Sequence, residues 1–265
     1  VIGTLPEIHS TVLERVIAVL EADDRFEALL GGGSMIHGGF DEQSDLDLIL
    51  VARSVVDHSS VMAERREIAA RAGTLLAAFT GEHVGEPRLL ICLFGPPLIH
   101  VDLKFVIATN EEVLVERPRI LWSRSPELTA ARLEAAQIRW PNRHAQWFED
   151  RAWIWLHYGA TKLLRGELFE AIGMLAFFRD QVLGPMLHRR AGRSQRGVRR
   201  IELDADAAMR LAGTSAGFDA SQVAHAFEHA IALYLDLRQD EHPETMTSHM
   251  PDALLDYMRL SPVCA

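Results

Sequence analysis

Residues Gly31 to Val51, reading Gly-Gly-Gly-Ser-Met-Ile-His-Gly-Gly-Phe-Asp-Glu-Gln-Ser-Asp-Leu-Asp-Leu-Ile-Leu-Val, constrain this chain more than any other stretch. A glycine run closes on Ser34, and after a short polar segment Asp45 and Asp47 stand one residue apart at the head of an apolar run. Side chains on a strand alternate between faces, so Asp45 and Asp47 share one face while Leu46, Leu48 and Leu50 take the other. Two carboxylates held side by side repel one another and resist desolvation, and hard oxygen donors so placed suit Mg2+. The glycines let backbone N–H groups approach an anion closely, and Ser34 adds a hydroxyl donor. Each feature alone has a plainer reading, since aspartate suits turns and glycines make flexible connections. Their order and spacing suggest a metal clamp one loop away from a phosphate cradle.

The rest of the chain gives this stretch a setting. Thr4-Leu-Pro-Glu7 is a capping-box pattern, and Val12, Val16, Val19 and Leu20 continue it as a helix to about Glu21. Phe26 to Leu30 and Leu46 to Val51 read as strands flanking a single helical turn at Ser34 to His37. Ile68, Ala72, Leu75 and Phe79 recur at helical spacing, which predicts a helix over Met62 to Phe79. Arg88 to Phe94 and Leu98 to Ile107 read as strands joined by Gly95-Pro96-Pro97. A helix start is expected at Thr109 to Glu112. Beyond a mixed segment ending at Leu121 and Trp122, helical periodicity dominates: Pro126 to Trp140, Asn142 to Leu164, Glu167 to His188, Asp204 to Ala212, Ser221 to Leu237 and Asp252 to Met258. The expectation is an α+β chain of two domains, 1–122 with a mixed sheet and 123–265 all-helical.

In Ile-His-Val-Asp-Leu-Lys-Phe-Val, Val101, Leu103 and Phe105 share one face, and Asp102 and Lys104 the other. A carboxylate inside an apolar strand is costly unless something pairs with it. If this strand lies beside the one bearing Asp45 and Asp47, Asp102 joins them; the plainer reading is a pair with Lys104 or an arginine at an exposed edge. A Gly-Ser turn followed some ten residues later by Asp-x-Asp on a strand resembles the signature of the polymerase-beta-like nucleotidyltransferase superfamily. The match falls on Gly33, Ser34, Asp45 and Asp47. The resemblance implies a nucleotidyltransferase fold and a third acidic residue on a later strand, here Asp102, completing an Mg2+ site. It further implies transfer of a nucleoside monophosphate, AMP from ATP, to a hydroxyl, with Asp102 as base, as metal ligand, or as both. Glu86, in a loop just before a strand, is the alternate base, and Ser44 joins Gly33 and Ser34 as a nucleotide contact.

In the helical half Trp155, Tyr158, Lys162 and Arg165 fall on one helix face. Lys-Leu-Leu-Arg-Gly-Glu-Leu-Phe-Glu-Ala is similar to a run in antibiotic nucleotidyltransferases of the aminoglycoside and lincosamide type. That similarity implies Lys162 on the triphosphate with Tyr158 and Arg165 lining the cleft, against the alternative of an amphipathic helix with a solvated basic edge. The dense basic run Arg189, Arg190, Arg193, Arg196, Arg199 and Arg200 has two readings, a contact to nucleotide or nucleic acid and a solvated mobile loop, and the acidic remainder of the chain favours the loop. His225-Ala-Phe-Glu228-His229 spells a zinc-peptidase order, yet both histidines fall to the polar side of their helix, which favours surface residues. The glycine run lacks the Lys-Ser/Thr of a P-loop and the register of a dinucleotide fold, and Ile36 breaks a G-x-S-x-G elbow.

Composition narrows the partners. With 265 residues, 48% of them apolar and 24% charged, the chain can bury real cores. A formal charge of -10 disfavours nucleic acid and fits a small, cationic substrate better; the resemblance implies that this substrate is a hydroxylated acceptor beside a nucleoside triphosphate. The resemblance makes an antibiotic of the aminoglycoside or lincosamide class the expected acceptor; a partner protein that receives AMP, and an inactive nucleotide-binding module, are the alternatives. Cys92 and Cys264 form no framework. No apolar run is long enough for a bilayer and no signal pattern opens the sequence, so a cytoplasmic protein without membrane contact is expected, with a homodimer left open.

Overall fold

The computed structural model describes residues 5–107 and 113–259, so Thr4, the helix start expected at Thr109 to Glu112, and Cys264 lie outside the described residues. The chain divides into two compact units, Val1–Arg139 and Trp140–Ala265. The first begins with α1 (Glu7–Glu21), β1 (Phe26–Gly31), the single turn α2 (Ser34–His37) and β2 (Leu46–Ala52). Helices α3 (Val55–Ala63) and α4 (Arg65–Arg71) lead to β3 (Leu75–Gly81), β4 (Glu86–Phe94) and β5 (Ile99–Ile107). Then come β6 (Val113–Leu114), β7 (Arg119–Ser123), α5 (Pro126–Ala135) and β8 (Gln137–Ile138).

Six strands form one sheet in the order β3-β4-β5-β2-β1-β7. Strands β2 and β5 run parallel and every other neighbouring pair is antiparallel, which makes the sheet mixed. Alternation decides what each face carries. Leu46, Leu48 and Leu50 of β2 and Val101, Leu103 and Phe105 of β5 are buried with Val12, Leu13, Val16 and Leu20 of α1, which makes this the core face. The opposite face is divided along its length. Its far part is apolar, with Ala28, Leu30, Val51 and Val106 packed against Leu133 of α5. Its near part carries the aspartates.

Two expectations are corrected here. The helix read over Met62 to Phe79 ends at Arg71, and residues from Leu75 form the edge strand β3. Gly73 and Thr74 break the helix, and Leu76 and Phe79, 52% and 56% exposed, lie on an edge strand that no further strand or helix face covers enough to bury them. The helix read over Pro126 to Trp140 stops at Ala135, because Gln137 and Ile138 pair in parallel with Val113 and Leu114. That pairing, with α5 lying against β7, keeps residues 123–139 with the sheet, so the first unit extends past the boundary expected at Trp122.

The second unit, among its described residues, is helical throughout: α6 (Ala145–Leu164), α7 (Leu168–Phe178), α8 (Gly184–Arg190), α9 (Ala205–Ala212), α10 (Ala220–Leu237) and α11 (Asp252–Arg259). A π-type turn at Arg179–Leu183 and then Gly184-Pro185 separate α7 from α8, where the sequence suggested one helix. Phe148, Leu156, Phe178, Phe227 and Leu237 are fully buried in its core. Glu149 is buried there too, and is satisfied by Tyr234 Oη at 2.5 Å, Trp153 Nε1 at 2.9 Å and the backbone N–H of Thr247 at 2.9 Å. The α+β order, mixed sheet first and helices after, is the one the sequence predicts.

Candidate active site

The glycine run holds the turn between β1 and β2. Gly32 N–H donates to the Asp47 carbonyl at 2.8 Å, so the loop stays tied to β2 as it leaves the sheet. Gly33 follows with φ +54°, a conformation that favours glycine. A Cβ on Gly33 would lie 1.7 Å from Asp47 Oδ2, so the loop backbone and the Asp47 side chain occupy adjoining space that no other residue type would leave open. Ser34, 5% exposed, opens α2 with its Oγ buried and without a hydrogen-bond partner. A buried hydroxyl without a partner costs about 1–3 kcal/mol, so this one awaits a polar group.

In the parallel pairing of β2 with β5, Asp47 stands directly opposite Asp102. Paired residues on adjacent strands share a face, and Asp45 stands in the loop immediately before β2 begins at Leu46. Asp45 is close enough for its charge to act on Asp102: burial first, and then Asp45, push the Asp102 carboxyl above the usual carboxylate range. His100 opposes that shift, donating from Nε2 to Asp102 Oδ1 at 2.9 Å. Asp102 pairs with His100 rather than with Lys104. The side chains as they stand do not form the expected three-carboxylate grip. Among the described residues no three His, Cys, Asp or Glu groups are placed to hold a metal ion. Converging carboxylates repel, and Asp102 takes the imidazole beside it instead. The donor chemistry still fits a hard divalent cation, with oxygen ligands at paired strand positions, the Asp47 carboxylate set close against the Gly33 backbone, and the partnerless Ser34 hydroxyl.

The other expected residues fall into local networks. The Ser44 hydroxyl donates to Asp41 Oδ1 and accepts from the Asp41 N–H, both at 3.0 Å, which shapes the loop before Asp45. Its carbonyl accepts from His9 Nε2 at 2.6 Å, fastening that loop to α1. Glu86 opens β4 and is held by Arg88 at 2.7 Å and Lys104 at 2.8 Å. Those cations, Arg88 first, hold its carboxyl down to about 2 against the opposing effect of burial, so it is a weak proton acceptor. The depressed value means that Glu86 stabilises the fold fully above about pH 4.5, and that this contribution is lost as pH falls towards 2. Glu86→Gln is therefore expected to cost about 2 kcal/mol at pH 7 and much less at pH 3, after allowing for partial exposure. Urea denaturation at the two pH values checks this; an equal cost at both would remove the charge pairing as its cause.

In the second unit Lys162 Nζ lies 2.7 Å from Glu167 and 2.8 Å from Glu170. Tyr158 Oη donates to Glu170 at 3.1 Å, and Arg165 pairs with Glu167 at 2.8 Å. The three residues read as triphosphate contacts thus form one cluster with two glutamates. His225, Glu228 and His229 are exposed on α10, as the polar side of that helix implied. His100 was missed in the sequence, although Ile-His-Val-Asp places it on the Asp102 face by simple alternation. A cavity of about 840 Å3 opens beside the aspartates rather than over them. Ser44 and His100 line it, with Glu7, Glu42, Phe94 and Pro97, and none of the three aspartates does.

No protein-family profile matches this sequence, and no curated protein matches it. Among solved structures the chain is similar to an aminoglycoside 6-adenyltransferase from Bacillus subtilis. The likeness covers 93% of this chain and 96% of that one, at 13% identity and a TM-score of 0.39. Agreement at that level carries nothing into the site, whose chemistry rests on this chain's own residues. No helix among the described residues is long and apolar enough to cross a membrane.

Proposed function

We propose that this chain transfers a nucleoside monophosphate, AMP from ATP, to a hydroxyl of a small molecule, releasing pyrophosphate. The observation that carries the reading is the register of Asp47 opposite Asp102, with Asp45 near enough for its charge to act on Asp102 and the Gly33 loop beside Asp47. Asp45, Asp47 and Asp102 would hold Mg2+, which when bound offsets triphosphate charge and polarises the α-phosphorus. Asp102 would also serve as the base for the acceptor hydroxyl, with His100 orienting its carboxylate. The acceptor oxygen bonds to the α-phosphorus, the bond from that phosphorus to the bridging oxygen breaks, and the hydroxyl proton passes to Asp102. Gly33 N–H and Ser34 Oγ face the phosphates.

Lys162, with Tyr158 and Arg165, stays a proposed triphosphate contact, in which phosphate oxygens take the place of Glu167 and Glu170. The cavity beside the site suits the acceptor, and Glu7 and Glu42 in its wall favour a cationic one such as an aminoglycoside. The test is to incubate the protein with Mg2+, each nucleoside triphosphate in turn and a panel of hydroxylated antibiotics, and to follow pyrophosphate. Release that requires both ATP and one acceptor class is expected. No release with any pairing sinks the reading.

A further inference from the structure

The basic run that begins in the last turn of α8 continues into a loop that Gln195 pins to the segment before α6. Gln195 donates from Nε2 to the Arg143 carbonyl at 2.9 Å and accepts the Arg143 N–H at 2.8 Å. Its own carbonyl accepts from Trp140 Nε1 at 3.2 Å. These bonds fix the walls of a cavity of about 510 Å3, lined by Arg143, His144, Arg189, Arg193, Ser194 and Glu241 among others. In a chain of formal charge -10, three guanidinium groups against one carboxylate on a single wall is a local reversal of sign.

The guanidinium groups there are incompletely matched. Arg189 Nη1 donates to Glu241 at 2.5 Å, but its Nε and Nη2 are buried with no partner. Arg143 donates to Gln181 and stacks 3.8 Å from the Trp147 ring centroid, and no carboxylate pairs with it among the described residues. Burial first, and then the nearby Arg151, push Arg143 below the usual arginine range against the opposing charge of Asp180. Arg193 is shared between Asp204 at 3.2 Å and His188 Nδ1 at 3.1 Å. Buried N–H groups of a cation without acceptors are costly, and a planar guanidinium offers parallel donors that match a phosphate oxyanion.

We propose that this cavity binds a phosphate oxyanion carrying at least two negative charges, free or as part of a phosphate ester. The inference uses nothing of the aspartate site. Isothermal titration of the full chain without Mg2+, at fixed ionic strength, with inorganic phosphate, pyrophosphate, AMP and ATP, tests it. Pyrophosphate is expected to bind, with affinity reduced about tenfold in Arg189→Gln and raised about threefold in Glu241→Gln, which removes the competing carboxylate. Asp47→Asn is expected to leave that affinity unchanged within about twofold, so failure of nucleotidyl transfer and failure of this site are separable. ATP binding more tightly than pyrophosphate, with the same Arg189 dependence, supports the site and assigns it an ester phosphate; equal affinities support it and assign the free anion. Where circular dichroism shows Arg189→Gln misfolded, Glu241→Gln decides alone. The proposal is overturned by absence of binding, by unchanged affinity in both folded variants or in Glu241→Gln alone, or by loss of binding in Asp47→Asn.

Discussion

Asp47→Asn lowers acceptor-dependent pyrophosphate release by about a thousandfold or more while leaving the protein folded, an expectation set by the scale of metal and electrostatic contributions to phosphoryl transfer. Asparagine keeps the shape of the side chain and removes its charge, so on the proposed function what is lost is the ability to hold a divalent cation opposite Asp102. The fold should tolerate the exchange, because removing one of two facing carboxylates relieves repulsion that folding must otherwise overcome. Steady-state release of pyrophosphate and a thermal melt on the same preparation check both halves. Undiminished turnover would falsify the assigned site. Loss of turnover with a lowered melting temperature would leave Asp47 a structural residue.

Why the site was legible while its surroundings were not follows from how local each signal is. Asp45 and Asp47 announce themselves because strand alternation and the glycine turn are written within 20 or so residues of sequence, and Asp102 sits in a strand bounded by Gly95-Pro96-Pro97. The parallel register that sets Asp102 opposite Asp47 joins segments far apart in sequence, and no local pattern specifies it. Leu75 and Phe79 continued the helical period of Ile68 and Ala72 by coincidence, and periodicity alone does not separate an edge strand from a helix extension. Lys162 looked free on its helix face because Glu167 and Glu170 reach it only after the chain turns at Gly166, where φ is +73°. The surroundings of the arginine run are non-local in the same way: Arg143, which lines a cavity with Arg189 and Arg193, belongs to a different segment, and Gln195 ties the two together. Charge counts along the sequence do not reveal which charges meet.

Gly33→Ala is expected to cost about 2–4 kcal/mol and to reduce turnover by about a hundredfold, more than a methyl group ordinarily does on a loop. Two effects add at this residue. The positive φ disfavours any L side chain, and the new Cβ would lie 1.7 Å from Asp47 Oδ2, which no van der Waals contact permits. The strain can be relieved only by moving the loop, which breaks the 2.8 Å bond from Gly32 N–H to Asp47 O, or by rotating the Asp47 carboxylate away from the face it shares with Asp102. Either movement disturbs the proposed cation site while the core face of Leu46, Leu48 and Leu50 stays packed, so activity should fall further than stability. Gly38→Ala is the control: it too has a positive φ, at +76°, but a Cβ there meets nothing within 4 Å. It should therefore destabilise by backbone strain alone, about 1 kcal/mol, with turnover largely kept. Equal losses of turnover in the two variants would assign the effect to loop strain in general, and would leave the closeness of Gly33 to Asp47 without a functional meaning.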